Sequence, residues 1–278
     1  VLFKIDSARQ AGLKISANMY PYAASATGLK ERIPTWAQEG GIVKLRSRIN
    51  NPSTREKILS DMANGIPTRN SDPHDVMVLG FKKDSLNKLY KGKRLDEIAV
   101  VHGKSADETT LDLLTADKSS IGAVYFLISE RNMARMLREP YVSIGSDGGA
   151  VAITPDFMND GTHPRAYGTF ARFLGKYVRD EQVATLEEGV RRMTSMPALN
   201  LRIQKRGVVK RGNYADIVVF DPNTISDHAT FEDPHQYATG VMHVFVNGIH
   251  VLKDGEHTGA LPGRCVRGPG WKKPKAGP

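Results

Sequence analysis

The amino-acid sequence predicts an α/β fold followed by a small β-rich unit, and three observations carry that reading. A helical pattern at the start gives way to a strand. A second apolar strand, residues 141–147, ends in small residues and one carboxylate. Past residue 202 the pattern changes to short apolar runs separated by Gly, Pro and Asn. Helix followed by strand is the rhythm of layered α/β architecture. At 278 residues the chain is long enough for one large domain, or one domain and a smaller appendage.

Taken in order, Leu2, Ile5 and Ala8 recur at helical spacing and Gly12 follows where a helix would end. The chain opens without Met or a charged leader, so it is expected to begin inside a helix, with further material upstream. Residues 13–20 read as a strand running into Tyr20-Pro21-Tyr22. A long Arg- and Lys-rich stretch follows, with a helix expected over 53–64, Ser53 as its cap and Glu56 at the capping-box position. Residues 76–80 read as a strand, 122–126 as a strand or buried turn, and 95–99 and 107–114 as helices. Ser129 is placed to cap a helix through Met133 and Leu137 that Pro140 stops. One helix is expected over 186–201. Strands are expected at 207–209, 215–222 and 241–248, with Asn247-Gly248 as a hairpin turn. These readings divide the chain into an α/β unit over 1–202, a β-rich unit over 203–268 and a basic tail over 269–278.

Composition narrows the function classes. Hydrophobic residues at 40% and charged residues at 25% describe an ordinary globular chain. No apolar run is long enough to cross a bilayer. The single Cys265 cannot close an internal disulfide, which favours a reducing, cytoplasmic setting. A net charge of +9 raises the question of nucleic acid, yet the basic residues are spread along the chain and cluster only in the tail, so no nucleic-acid or membrane partner is expected.

The chemistry-bearing residues are few. Asp147 follows Ile144-Gly145-Ser146 and precedes Gly148-Gly149, small neighbours that let a ligand approach; Asp-Gly is equally a turn dipeptide, and both readings stand. Arg165, in His163-Pro164-Arg165, offers a planar fork for a carboxylate, or is a surface cation beside a solvated histidine. Tyr20 could line a pocket or pack at a core rim. The eight histidines are scattered, with no His-x-His, no His-Glu-x-x-His and no Cys-His spacing suited to zinc. His102 lies near an expected strand end. A phosphate-binding glycine loop and a Gly-x-Ser-x-Gly elbow are absent.

Together, Met19-Tyr20-Pro21-Tyr22-Ala23-Ala24-Ser25, Ile144-Gly145-Ser146-Asp147-Gly148, His163-Pro164-Arg165 with Gly168-Thr169-Phe170, and Gly212-Asn213-Tyr214-Ala215-Asp216-Ile217-Val218-Val219-Phe220-Asp221 resemble the N-acyl-D-amino-acid deacylase (D-aminoacylase) family of the amidohydrolase superfamily. The resemblance runs from residue 1 to about residue 268. It implies the rear part of a metal-dependent (β/α)8 barrel with a small β-sandwich, and hydrolysis of N-acyl-D-amino acids. Asp147 would be the catalytic base and a metal contact. Arg165, Tyr20 and His163 would bind substrate, with Tyr22 less suited than Tyr20. The family's zinc-binding His-x-His, Cys, later histidines and Ser-His-His-Lys segment have no counterpart here. Zinc is therefore expected of the parent enzyme, with an upstream segment or partner chain supplying most ligands. The alternatives are another amidohydrolase, dihydroorotase-like or dipeptidase-type, and a truncated non-catalytic remnant.

Overall fold

The computed structural model of the protein describes residues 1–66, 69, 71–158 and 161–272. Helix α1 (Leu2–Gln10) ends just before Gly12, whose φ of 87° turns the backbone towards β1 (Ala17–Met19). Both follow the sequence pattern, although the strand is shorter than expected.

Between β1 and the strand that pairs with it lies a unit with its own core. It contains β2 (Ser25–Gly28), α2 (Thr35–Gln38), α3 (Gly41–Asn50), α4 (Pro52–Ala63), β3 (Val76–Gly80), α5 (Asp84–Tyr90), α6 (Leu95–His102), α7 (Ala106–Ala116) and β4 (Gly122–Tyr125). The strands form an antiparallel sheet of order β2-β4-β3. Leu29, Ile58, Leu95, Ile98, Leu111 and Tyr125 are among the buried side chains of its core. Local chemistry sets the helix starts. Asn51, not Ser53, caps α4: its Oδ1 accepts from the Thr54 N–H at 3.2 Å, and Pro52 takes the first helical position, where a missing N–H does no harm. The Ser53 hydroxyl donates to Asn51 instead. Ser105 and Glu108 form a reciprocal capping box at α7. His102 is the last residue of α6, not a strand end, and Gly103 closes that helix in the left-handed conformation.

Past β4 the chain runs through α8 (Glu130–Leu137), capped by Ser129 as expected, into β5 (Val142–Ile144). Here β5 pairs in parallel with β1, in the register Ala17 to Val142, Asn18 to Ser143 and Met19 to Ile144. After β5 come α9 (Pro155–Met158) and α10 (Arg165–Arg172), which continues as π-helical turns over Phe173–Asp180. The helix expected over 186–201 is two helices, α11 (Leu186–Met193) and α12 (Ser195–Asn200). They are parted at Thr194, whose φ of −128° and ψ of −86° leave the helical region. Phe173, Tyr177, Met133, Leu137, Ile144 and Ile225 form the core of this part. Complete burial of Phe173 contributes roughly 1.5–3 kcal/mol.

The C-terminal unit is one antiparallel sheet of order β6-β7-β8-β9, made by β6 (Ile217–Phe220), β7 (Val241–Val246), β8 (Ile249–Lys253) and β9 (Glu256–His257). Asn247 and Gly248 have φ of 51° and 81°, the left-handed pair that a two-residue hairpin needs to match strand twist. Val208 and Val209 are not a strand: they are exposed and sit in a bend and coil. The last tail residues, 273–278, lie outside the described residues.

Among the described residues β1 pairs only with β5, and β5 only with β1, so each keeps one edge unpaired. Such edges recruit other strands. The chain alone is expected to self-associate or precipitate in light-scattering measurements, and a monodisperse monomer would contradict this.

Candidate functional site

The site is assembled by the parallel pair. Because β1 and β5 run the same way in register, both segments leave the pair at the same end, which sets Tyr20 beside the turn Gly145-Ser146-Asp147. The crossing is tight. Asn18 Nδ2 donates to Ser143 Oγ at 3.1 Å, and Ser143 Oγ donates to the Ala17 carbonyl at 3.1 Å. A Cβ on Gly145 would lie 2.5 Å from Asn18 Oδ1, so any side chain there would displace the Asn18 amide. Asp147 then adopts φ of 46°, a left-handed conformation that Asp tolerates better than most residues. Gly148 brings the turn against α10, where a Cβ would come within 3.1 Å of the Ala166 backbone.

Arg165, at the first turn of α10, grips this turn twice. Its Nε–H donates to the Asp147 carbonyl at 3.1 Å, and its Nη2 lies 2.9 Å from Asp147 Oδ2. The guanidinium also sits 4.6 Å from the centre of the Tyr20 ring. A cation at a helix N-terminus opposes the helix dipole, and the carboxylate offsets that. The Arg165 side chain is only 11% exposed, whereas that of Asp147 is 70% exposed. With one partner so open to water, the pair adds little stability, within the roughly 0–1 kcal/mol of surface pairs. Its importance is geometric: it holds a carboxylate and a guanidinium side by side in the wall of one cleft.

His163 is 4% exposed, and both ring nitrogens are engaged by backbone. Nδ1 accepts from the Arg165 N–H at 3.0 Å and Nε2 donates to the Ala24 carbonyl at 3.0 Å, which fixes one neutral tautomer. Burial pushes its pKa down from 6.5 to about 4, against the opposing effect of the Ala24 bond. The ring lines the cleft but has no nitrogen left for a ligand, so His163 positions Arg165 from behind.

Two clefts meet at Asp147. One, of about 300 Å³, is lined by Ala26, Leu79, Val151, Gly161 and Arg165. The other, of about 410 Å³, is lined by Asn18, Met19, Tyr20, Ile128 and Met136. A larger hollow of about 820 Å³ around Arg9, Tyr141 and Met196 has no carboxylate in its lining. Sequence reasoning missed Leu79, which the unit between β1 and β5 sends into the first cleft. It also missed Arg172, Asp227 and Phe231, which back the site. Arg172 stands seven residues after Arg165 on one helix face and was open to helical-spacing arguments. Asp227, in a loop, carried no local signal.

The metal centre implied by the resemblance is not assembled by these residues. Among the described residues no three His, Cys, Asp or Glu side chains converge, and His163 has no free nitrogen. Asp147 is a single oxygen donor, so the donor set does not fit a complete zinc site.

The His163 geometry has a pH consequence. Between pH 6.5 and about 4 the unfolded chain binds a proton that the folded ring refuses. Stability is therefore complete above pH 6.5 and falls as the pH drops towards 4, by up to about 3 kcal/mol. Urea denaturation at stepped pH should show this slope, and a His163→Gln variant should flatten it.

A family model described as an amidohydrolase family matches residues 111–252, just over half of the chain. The chain is 40% identical over 175 residues to a D-aminoacylase of Alcaligenes xylosoxydans xylosoxydans, covering 63% of this chain and 34% of the relative. It is 32% identical over 267 residues to an N-acyl-D-glutamate deacylase of the same organism, covering 96% and 44%. Among solved structures, the N-acyl-D-glutamate deacylase of Bordetella bronchiseptica, complexed with zinc and a phosphonate inhibitor, matches with a TM-score of 0.66 at 30% identity. That match covers 92% of this chain and 44% of the other. A D-aminoacylase structure matches with a TM-score of 0.67 at 31% identity, covering 93% and 44%. The chain thus spans less than half the length of these relatives. With a family model over half its length and an α/β fold shared with these structures, the chain belongs to the amidohydrolase family.

Proposed function

We propose that this chain forms part of a metal-dependent amidohydrolase that cleaves the amide bond of N-acyl-D-amino acids to a carboxylate and a free amino acid. The observation that carries the reading is the Arg165–Asp147 arrangement, in which one guanidinium orients an exposed carboxylate and both side chains line the same cleft. The relatives' names supply the substrate class and its D configuration.

Arg165 holds the substrate's carboxylate by its planar fork, and Tyr20, stacked on the guanidinium, limits where that carboxylate can sit. Asp147 takes a proton from the attacking water as its oxygen adds to the acyl carbon. When the C–N bond breaks, the same carboxyl returns the proton to the leaving amine. The turn of small residues leaves room for both partners. Metal dependence, with zinc as in the Bordetella bronchiseptica relative, is assigned to the whole enzyme, and an upstream segment or partner chain supplies most donors. Asp147 is the one contact this chain would contribute.

The same reading makes β1 and β5 neighbouring strands of a (β/α)8 barrel, with Tyr20 and Asp147 at the strand ends where such barrels place their chemistry. It divides the chain into barrel portion (1–202), β-sandwich portion (203–268) and tail. The single cysteine supports a cytoplasmic setting, and no helix among the described residues is long and apolar enough to cross a membrane.

The test compares Arg165→Ala with the unaltered chain, each alone and mixed with the remaining portion of the enzyme. Substrates are an N-acyl-D-amino acid and an N-acyl amine lacking the carboxylate. Both substrates lose the grip on Asp147, but loss of the anchor should lower kcat/KM for the first by roughly ten- to a hundredfold more than for the second. Equal loss on both would remove the anchor role, and no hydrolysis in any mixture would overturn the enzymatic reading.

A further inference from the structure

Behind Arg165 lies a buried polar cluster that hydrolysis itself does not use. Arg172, at the far end of α10, donates from Nε to the Pro21 carbonyl at 2.8 Å and from Nη1 to Asp227 Oδ2 at 3.2 Å. Its guanidinium covers the Tyr22 ring at 4.8 Å. The Tyr22 hydroxyl, on a side chain 2% exposed, lies 3.3 Å from Asp227 Oδ2 and 3.4 Å from the Pro164 carbonyl, immediately before Arg165. Burial, reinforced by the Asp227 charge, pushes the Tyr22 pKa upward, so the hydroxyl stays a donor. A Cβ on Gly168 would lie 2.2 Å from that hydroxyl and 2.8 Å from Asp227 Cβ, so helix, tyrosine and aspartate are in direct contact with no slack. Four residues beyond Asp227, Phe231 sets its ring edge-on to His163 at 5.0 Å between centroids.

We propose that Asp227, reaching in from the segment after β6, is a positioning residue for Arg165. Its side chain is only 11% exposed, and one oxygen serves both Arg172 and Tyr22. Those two residues hold the Tyr20-Pro21-Tyr22 turn and the start of α10 together, and these are the elements that carry Tyr20 and Arg165. Removing the charge leaves the half-buried Arg172 without its counter-ion, and α10 is then free to shift against the turn. The C-terminal β-rich unit thereby tunes carboxylate recognition without touching substrate. The kinetic consequence rests on the proposed function, whereas the placement of Arg165 does not.

The experiment uses Asp227→Asn and Asp227→Glu in the full chain, with two readouts. The first is the rate at which phenylglyoxal modifies Arg165, followed by peptide mass, with Arg46 in the other core as internal reference. In Asp227→Asn, Arg165 should react roughly threefold faster or more while Arg46 is unchanged, as local opening requires, and Asp227→Glu should recover part of the protection. The second, in the mixture with the remaining portion, is a rise of about tenfold in KM for an N-acyl-D-amino acid that exceeds the accompanying fall in kcat. If Asp227→Asn does not fold, Tyr22→Phe makes the same comparison with the charge pair intact. An unchanged Arg165 rate, or Arg165 and Arg46 rates rising together, overturns the proposal. A faster Arg165 in a protein that hydrolyses nothing upholds it and sinks only the assigned function.

Discussion

Two short strands far apart in sequence, Ala17–Met19 and Val142–Ile144, pair in parallel, and the rest of the site follows from that register. A shift of one residue would turn each side chain to the opposite face. Asn18 would lose Ser143, Gly145 would no longer be the residue opposite the Asn18 amide, and Asp147 would leave Tyr20. Parallel strands need a long connection, and here it is a folded unit with its own core, α2 to α7 over an antiparallel sheet. That unit is more than a linker, since its Leu79 forms part of the cleft wall beside Asp147.

Around this register the structure spends few strong interactions on stability and many on orientation. The Asp147–Arg165 pair is too exposed on one side to stabilise much. It is held by groups that cannot move independently: a neutral His163 bridging two backbone segments, a glycine at Gly148 that admits the turn against α10, and the Arg172–Asp227–Tyr22 cluster behind. His163 illustrates the distinction. By residue type it invites a metal or acid–base role, yet its two backbone bonds and depressed pKa make it a neutral strut.

How much of this was legible in the sequence depends on whether the signal was local. The Asn247-Gly248 hairpin, the Ser129 cap and the strand leading to Asp147 were read correctly, because turn chemistry and apolar runs act over a few residues. Val208-Val209 was misread because β-branched residues resemble a strand whether or not a partner is in reach. The break at Thr194 was missed because apolar spacing continues through it. The pairing of β1 with β5 and the arrival of Asp227 behind α10 depend on contacts spanning 125 and 55 positions, which no local pattern encodes. The motifs that resembled a known family supplied Asp147, Arg165 and Tyr20 as a set, and the structure brings these three together.

The central claim is that the Asp147 carboxylate, held by Arg165, moves the proton in amide hydrolysis. Asp147→Asn tests it most directly, since the amide oxygen can still accept from Arg165 while the basic group is gone. In the mixture with the remaining portion of the enzyme, single-turnover hydrolysis of an N-acyl-D-amino acid, with substrate Kd measured on the same mixture, should show the rate falling by roughly 10²–10⁴-fold and Kd nearly unchanged. A rate equal to that of the unaltered chain would contradict the account.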